Sequence, residues 1–182
     1  VFNEWYFFPH HLLYQPMVRI FAIALSPLGC DVTCAGQIST ILWAVATIGA
    51  TYLITLRLGR SIACAIGAAI FLFVSHGFWV FSTQLEPYLP LVAIDSILAA
   101  FLVCRPRRAL TLLDLAIISS LFTFGLFFHQ ANLFFLVPIA AYVFVVEGKG
   151  GIWSMVKVTG ASGIVTLLVN VWIFRSLYPG ES

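Results

Sequence analysis

Charge is scarce in this chain. Asp, Glu, Lys and Arg supply 9% of its 182 residues, where an ordinary soluble domain has about a quarter. With 62% hydrophobic residues, a soluble fold of this length could not hide its apolar surface in one core. Lipid would solvate the surplus. A dense basic stripe of the kind that neutralises phosphates is also missing, which argues against nucleic acid as a partner. No CxxC pair and no HExxH run occurs, so no metal site is expected.

The few charges present are ordered. Seven of the nine Lys and Arg residues fall in three groups: Arg57 and Arg60; Arg105, Arg107 and Arg108; Lys149 and Lys157. Long apolar stretches separate them. This recurrence predicts an all-α, polytopic transmembrane helix bundle with the basic loops in the cytoplasm. About six spanning helices are expected, near 35–56, 61–80, 84–104, 110–128, 131–147 and 156–176, each close to the ~20 residues that a ~30 Å hydrocarbon core requires. Residues 1–34 read as an extracytoplasmic segment, with an interfacial amphipathic helix near 10–29 carrying Pro16, Arg19 and Pro27. Residues 35–176 form the bundle and 177–182 an outer tail. Both termini then lie outside a membrane of the bacterial inner-membrane kind. The chain opens on Val1 with no signal peptide, which leads us to expect a preceding part containing one more crossing.

Several smaller expectations follow. Cys64 and Cys104 fall at cytoplasmic helix ends and should be free. Cys30 and Cys34 fall outside, where a disulfide is chemically allowed, although one helix holding both would strain it. Small residues four apart (Ala46 and Ala50, Ala63 and Gly67, Thr159 and Gly163) would let helices approach closely. Asp95 falls halfway along its helix, where a charge costs at least ~2.5–3.5 kcal/mol. It is expected to be protonated or bonded to Ser119, Ser120 or Thr123. Asp114 is expected to partner the arginines of the neighbouring loop.

Polar and aromatic residues collect at the outer helix ends: His10 and His11, then His76 and Trp79, then Glu86 and Tyr88, then His129 and Asn132. Together they would line one cavity suited to a polar headgroup or a sugar beside lipid. Three runs, SHGFW (75–79), EPY (86–88) and GLFFHQANLFFLVP (125–138), with FFPHHLLYQP (7–16) upstream, resemble the GT-C superfamily of membrane glycosyltransferases, in particular its protein O-mannosyltransferase-like branch. In that branch the Ser-His-x-Phe-Trp run closes one helix and Glu-x-Tyr opens the next. The resemblance implies a core acting on the extracytoplasmic side with a polyprenyl-phosphate sugar as donor, and Glu86, Tyr88 and His129 as pocket residues. The family's catalytic carboxylate follows its first transmembrane helix. Only Glu4 lies near the corresponding place, so the resemblance implies no identifiable catalytic residue in this chain.

Each candidate also has a plainer role. Glu86 could favour a helix start, His76 and His129 could be hydrogen-bonded interfacial residues, and Trp79 could belong to an aromatic belt. A lone His can ligate haem or a chlorophyll magnesium, though no spacing here favours a pigment or haem contact. A second reading of the whole chain is a non-catalytic accessory subunit that stabilises a larger photosynthetic or respiratory membrane complex. A transporter fits less well, with one midplane carboxylate and no evident inverted repeat.

Overall fold

The computed structural model describes residues 13–85, 88–106 and 108–177. Among them eight α-helices form and no strand does. Helix α1 spans Tyr14–Leu25, α2 Val32–Gly59, α3 Ile62–Val74 and α4 His76–Thr83. Helix α5 spans Tyr88–Cys104, α6 Leu112–Phe128, α7 Leu136–Glu147 and α8 Gly151–Leu177. Short connections make α2, α3, α5, α6, α7 and α8 run alternately up and down. They pack in the order α3, α2, α5, α6, α8, with α1 and α4 against α2 and α7 against α8.

Two helical stretches are long and apolar enough to cross a membrane, Val32–Gly59 and Gln130–Trp172, the second folded back at Gly148–Gly150 where Gly151 meets Val143; the pair α3 and α4 makes a third if it is one span. Helices α5 and α6 are apolar and 17 residues each. Within each long stretch, only 17% of the most apolar window is buried against the rest of the chain. Ile41, Leu42, Val45 and Leu53 of α2 and Ile164, Leu167 and Leu168 of α8 stand exposed. Apolar surface on that scale demands an apolar surrounding.

Local chemistry sets the helix limits. Asp31 caps α2, its carboxylate accepting from the Cys34 N–H at 2.8 Å, and Arg60 closes the helix in a left-handed turn with φ 50°. Cys30 precedes that cap, so the Cys30–Cys34 disulfide forms across the helix entrance with a Cα–Cα distance of 5.5 Å. The strain expected of two cysteines in one helix is avoided because Cys30 lies outside it. The expected span 61–80 is broken: α3 and α4 meet at 63°. Ser75 is extended (ψ 130°) and its Oγ donates to the Leu72 carbonyl at 2.9 Å, satisfying the end of α3. Ser and Gly pairs are recurrent kink sites, and Gly77 follows. The SHGFW run therefore opens a helix where it was expected to close one.

Helix α2 turns its short residues inward, with Ala35, Gly36, Ser39, Thr40, Ala44, Thr47 and Ala50 all buried. The hydroxyls of Ser39 and Thr40 bond the Gly36 carbonyl at 2.8 and 2.7 Å. They are buried without desolvation loss because the helix itself satisfies them. A Cβ at Gly36 would lie 2.0 Å from Leu85 Cδ2, so the closest approach is there. By contrast, Gly67 and Gly163 of the expected small-residue pairs face open space. Helix α1 packs against the bundle. The Leu13 N–H bonds the Phe127 carbonyl at 3.1 Å and the Trp43 indole N–H donates to Met17 Sδ at 3.0 Å. Its start is thus docked on α2 and α6, while Ile20 and Ile23 remain exposed.

Candidate functional site

Alternating helices create two ends. One, the aromatic end, gathers the starts of α1, α2 and α5 with the ends of α4 and α6. Leu91, Ile94 and Phe128 form a small core there, packed by Tyr14, Met17 and Trp43. Phe128 meets Trp43 edge-on at 5.8 Å and Phe124 at 5.2 Å. On this base the first residue of α5, Tyr88, stacks obliquely on His129, ring centroids 4.8 Å apart.

His129 owes its position to the way α6 ends. Its backbone is extended (φ −161°, ψ 138°) and its N–H closes the helix on the Gly125 carbonyl at 3.0 Å. Its Nδ1 then accepts from the Ala131 N–H at 2.9 Å and starts the 3-10 turn Gln130–Phe135. An accepting Nδ1 puts the proton of the neutral ring on Nε2. In that state Nε2 is a donor, unsuited to general-base work through that atom. Asn132 is 1% exposed, its amide donating to the Phe122 carbonyl at 2.6 Å across Gly125. It joins the helix end to the turn.

His76 and Trp79 are exposed on α4, with Trp79 edge-on to Phe73 at 6.1 Å. Glu86, His10 and His11 lie outside the described residues. Of the expected site residues, the structure thus brings Tyr88 and His129 into ring contact and places Asn132 beneath His129. Among the described residues no cluster of His, Cys, Asp or Glu could hold a metal ion. Asp95 makes no hydrogen bond through its buried Oδ1. Its expected partners Ser119, Ser120 and Thr123 instead line a groove between α6 and α8, whereas α5 packs chiefly on α2.

The opposite, basic end carries a polar network that sequence reasoning found only in part. Arg105 and Asp114 form an ion pair at 2.9 Å with side chains 4% and 10% exposed. Arg105 also donates to the Tyr142 hydroxyl at 3.2 Å. Burial alone would lower the Arg105 pKa, but its bonds to Tyr142 and Asp114 outweigh that and hold it above the ordinary value. Asp114 and Thr111 complete a capping box at the start of α6. Glu147 accepts from the Leu110 N–H at 2.8 Å and from the Ser154 hydroxyl, tying the loop before α6 to the turn between α7 and α8. The roles of Tyr142 and Glu147 were missed. A carboxylate directly before the GKGG turn was the available signal. Lys157, expected in a loop, lies within α8, which begins at Gly151.

No family model, curated protein or solved structure matches this chain.

Proposed function

We propose that the chain is an integral membrane core of the GT-C kind, crossing the bilayer about six times, which holds a polyprenyl-phosphate sugar at its aromatic end on the extracytoplasmic side. The Tyr88–His129 contact carries this reading. It joins the EPY and HQAN motifs, 41 residues apart from Tyr88 to His129, into one aromatic and imidazole surface suited to a sugar-phosphate headgroup. The alternating helices and the basic residues at the other end support the orientation.

The test is binding of a polyprenyl-phosphate sugar to the full chain in lipid nanodiscs. His129→Ala and Tyr88→Ala should each weaken it about ten-fold, the scale of one lost hydrogen bond to a charged group or one stacked ring. His129→Gln, whose amide N–H can replace the donor, should recover part of the loss. Unchanged binding in both alanine variants defeats the proposal. Absence of binding together with fixed-stoichiometry recovery in a larger membrane complex favours the accessory-subunit reading instead.

A further inference from the structure

Helices α6 and α8 run parallel, with α7 returning between them in sequence. The Ser162 hydroxyl bonds the Ser119 carbonyl at 3.3 Å where the two helices meet. Beside this contact lies a groove of about 550 Å³, open on one side. It exists because short side chains line its middle: Ala116, Ser119 and Ser120 on α6, and Ala161 on α8. Phe124, Phe127 and Val165 close it toward the aromatic end. At the other end stands Lys157, exposed and without an ion pair among the described residues.

We propose that this groove seats one acyl chain of an anionic phospholipid, with the lipid phosphate held by Lys157. Charge complementarity and dimension identify the occupant. Lys157 to Val165 is eight residues, or about 12 Å of helix rise, close to one leaflet of a ~30 Å hydrocarbon core. A single cation at the leaflet boundary and an apolar trough running inward match a phosphate followed by a hydrocarbon chain. The Ser120 hydroxyl near mid-groove can satisfy itself on its own helix, as Ser and Thr do in apolar surroundings, so the trough stays hospitable to hydrocarbon. The site is at the basic end, opposite Tyr88 and His129, and is distinct from the sugar-lipid surface proposed above. It rests on membrane embedding and not on glycosyl transfer.

Native mass spectrometry of the full chain in detergent tests it, with phosphatidylglycerol, phosphatidylcholine and inorganic phosphate as probes. Phosphatidylglycerol should be retained over phosphatidylcholine, and Lys157→Gln should lower its retention about five-fold, the worth of one basic residue near an anionic lipid surface. Lys157→Arg should restore it. Ala161→Trp, which fills the trough, should remove both lipids; should that variant lose helicity, the exposed Ser120→Leu makes the same comparison. Equal retention of the two lipids by the unaltered chain overturns the proposal, as does an unaffected Lys157→Gln. Displacement of phosphatidylglycerol by millimolar inorganic phosphate overturns it too, by assigning Lys157 to a free anion.

Discussion

At the scale of single residues, the shared Oδ2 of Asp114 does the most. It accepts from the Thr111 N–H and Oγ1 at 2.8 Å each and from Arg105 at 2.9 Å. Removing it leaves a guanidinium shielded from water with no counter-charge and opens the carboxylate half of the capping box, while Thr111 Oγ1 still accepts from the backbone N–H of residue 114. Breaking a deep ion pair costs ~3–5 kcal/mol. This pair is covered by a thin layer at the basic end, where water screens part of the charge, so Asp114→Ala should cost about 2–3 kcal/mol. Chemical unfolding in detergent reads it. Arg105→Leu combined with Asp114→Leu should cost less than Asp114→Ala alone, because no buried charge is then left unpaired. If the double variant is the less stable, the network stabilises mainly through packing and the electrostatic account fails.

At the scale of elements, the junction of α6 with the Gln130–Phe135 turn is set by a glycine and an amide. A Cβ at Gly125 would stand 2.3 Å from Asn132 Nδ2 and 2.8 Å from its Cγ. Gly125→Ala must therefore expel the buried amide and break its bond to the Phe122 carbonyl, at about 2–3 kcal/mol. Adding Asn132→Ala removes the clash, so the double variant should be no worse than Asn132→Ala alone, a coupling read from thermal unfolding midpoints. Strictly additive losses would show that the two residues do not share a contact. This junction explains what the sequence could and could not disclose. Apolar run length reveals helices α2, α5 and α6 within a few residues, and the basic groups reveal which helix ends share a side. Close approach is a different matter. Gly36, Gly125 and Gly151 meet Leu85, Asn132 and Val143, partners distant or across a turn, and no four-residue spacing encodes them. The break at Ser75 escaped for a related reason: its extended backbone is fixed by one hydroxyl bond inside an otherwise unbroken apolar run. Tyr88 and His129 were legible as motif residues, but the Nδ1 bond that sets the imidazole's chemistry depends on how α6 terminates.

At the scale of the whole molecule, the cysteines offer a direct reading of orientation. Cys64 lies in the first turn of α3 and Cys104 is the last residue of α5, both free and exposed at the basic end. Cys104 Sγ lies 3.9 Å from the Leu53 carbonyl, which places it level with the last two turns of α2. Cys30 and Cys34 are bonded at the opposite end, across the start of α2. If the basic residues mark the cytoplasmic side, a membrane-impermeant maleimide should label Cys64 and Cys104 in inside-out vesicles and spare them in right-side-out vesicles. An impermeant phosphine should expose Cys30 and Cys34 to the same reagent only in right-side-out vesicles. Single-cysteine variants assign each signal. The pattern is demanding because each pair controls for leakage of the other. Inverted labelling of both pairs would keep the bundle but put the Tyr88–His129 surface in the cytoplasm. A polyprenyl-phosphate sugar presented from outside could not then reach it. Labelling of all four positions from one side would be worse, since α2 carries Cys34 at one end and Leu53, beside Cys104, near the other. That helix, 28 residues long and about 42 Å by its rise, would have to lie along the membrane and not through it.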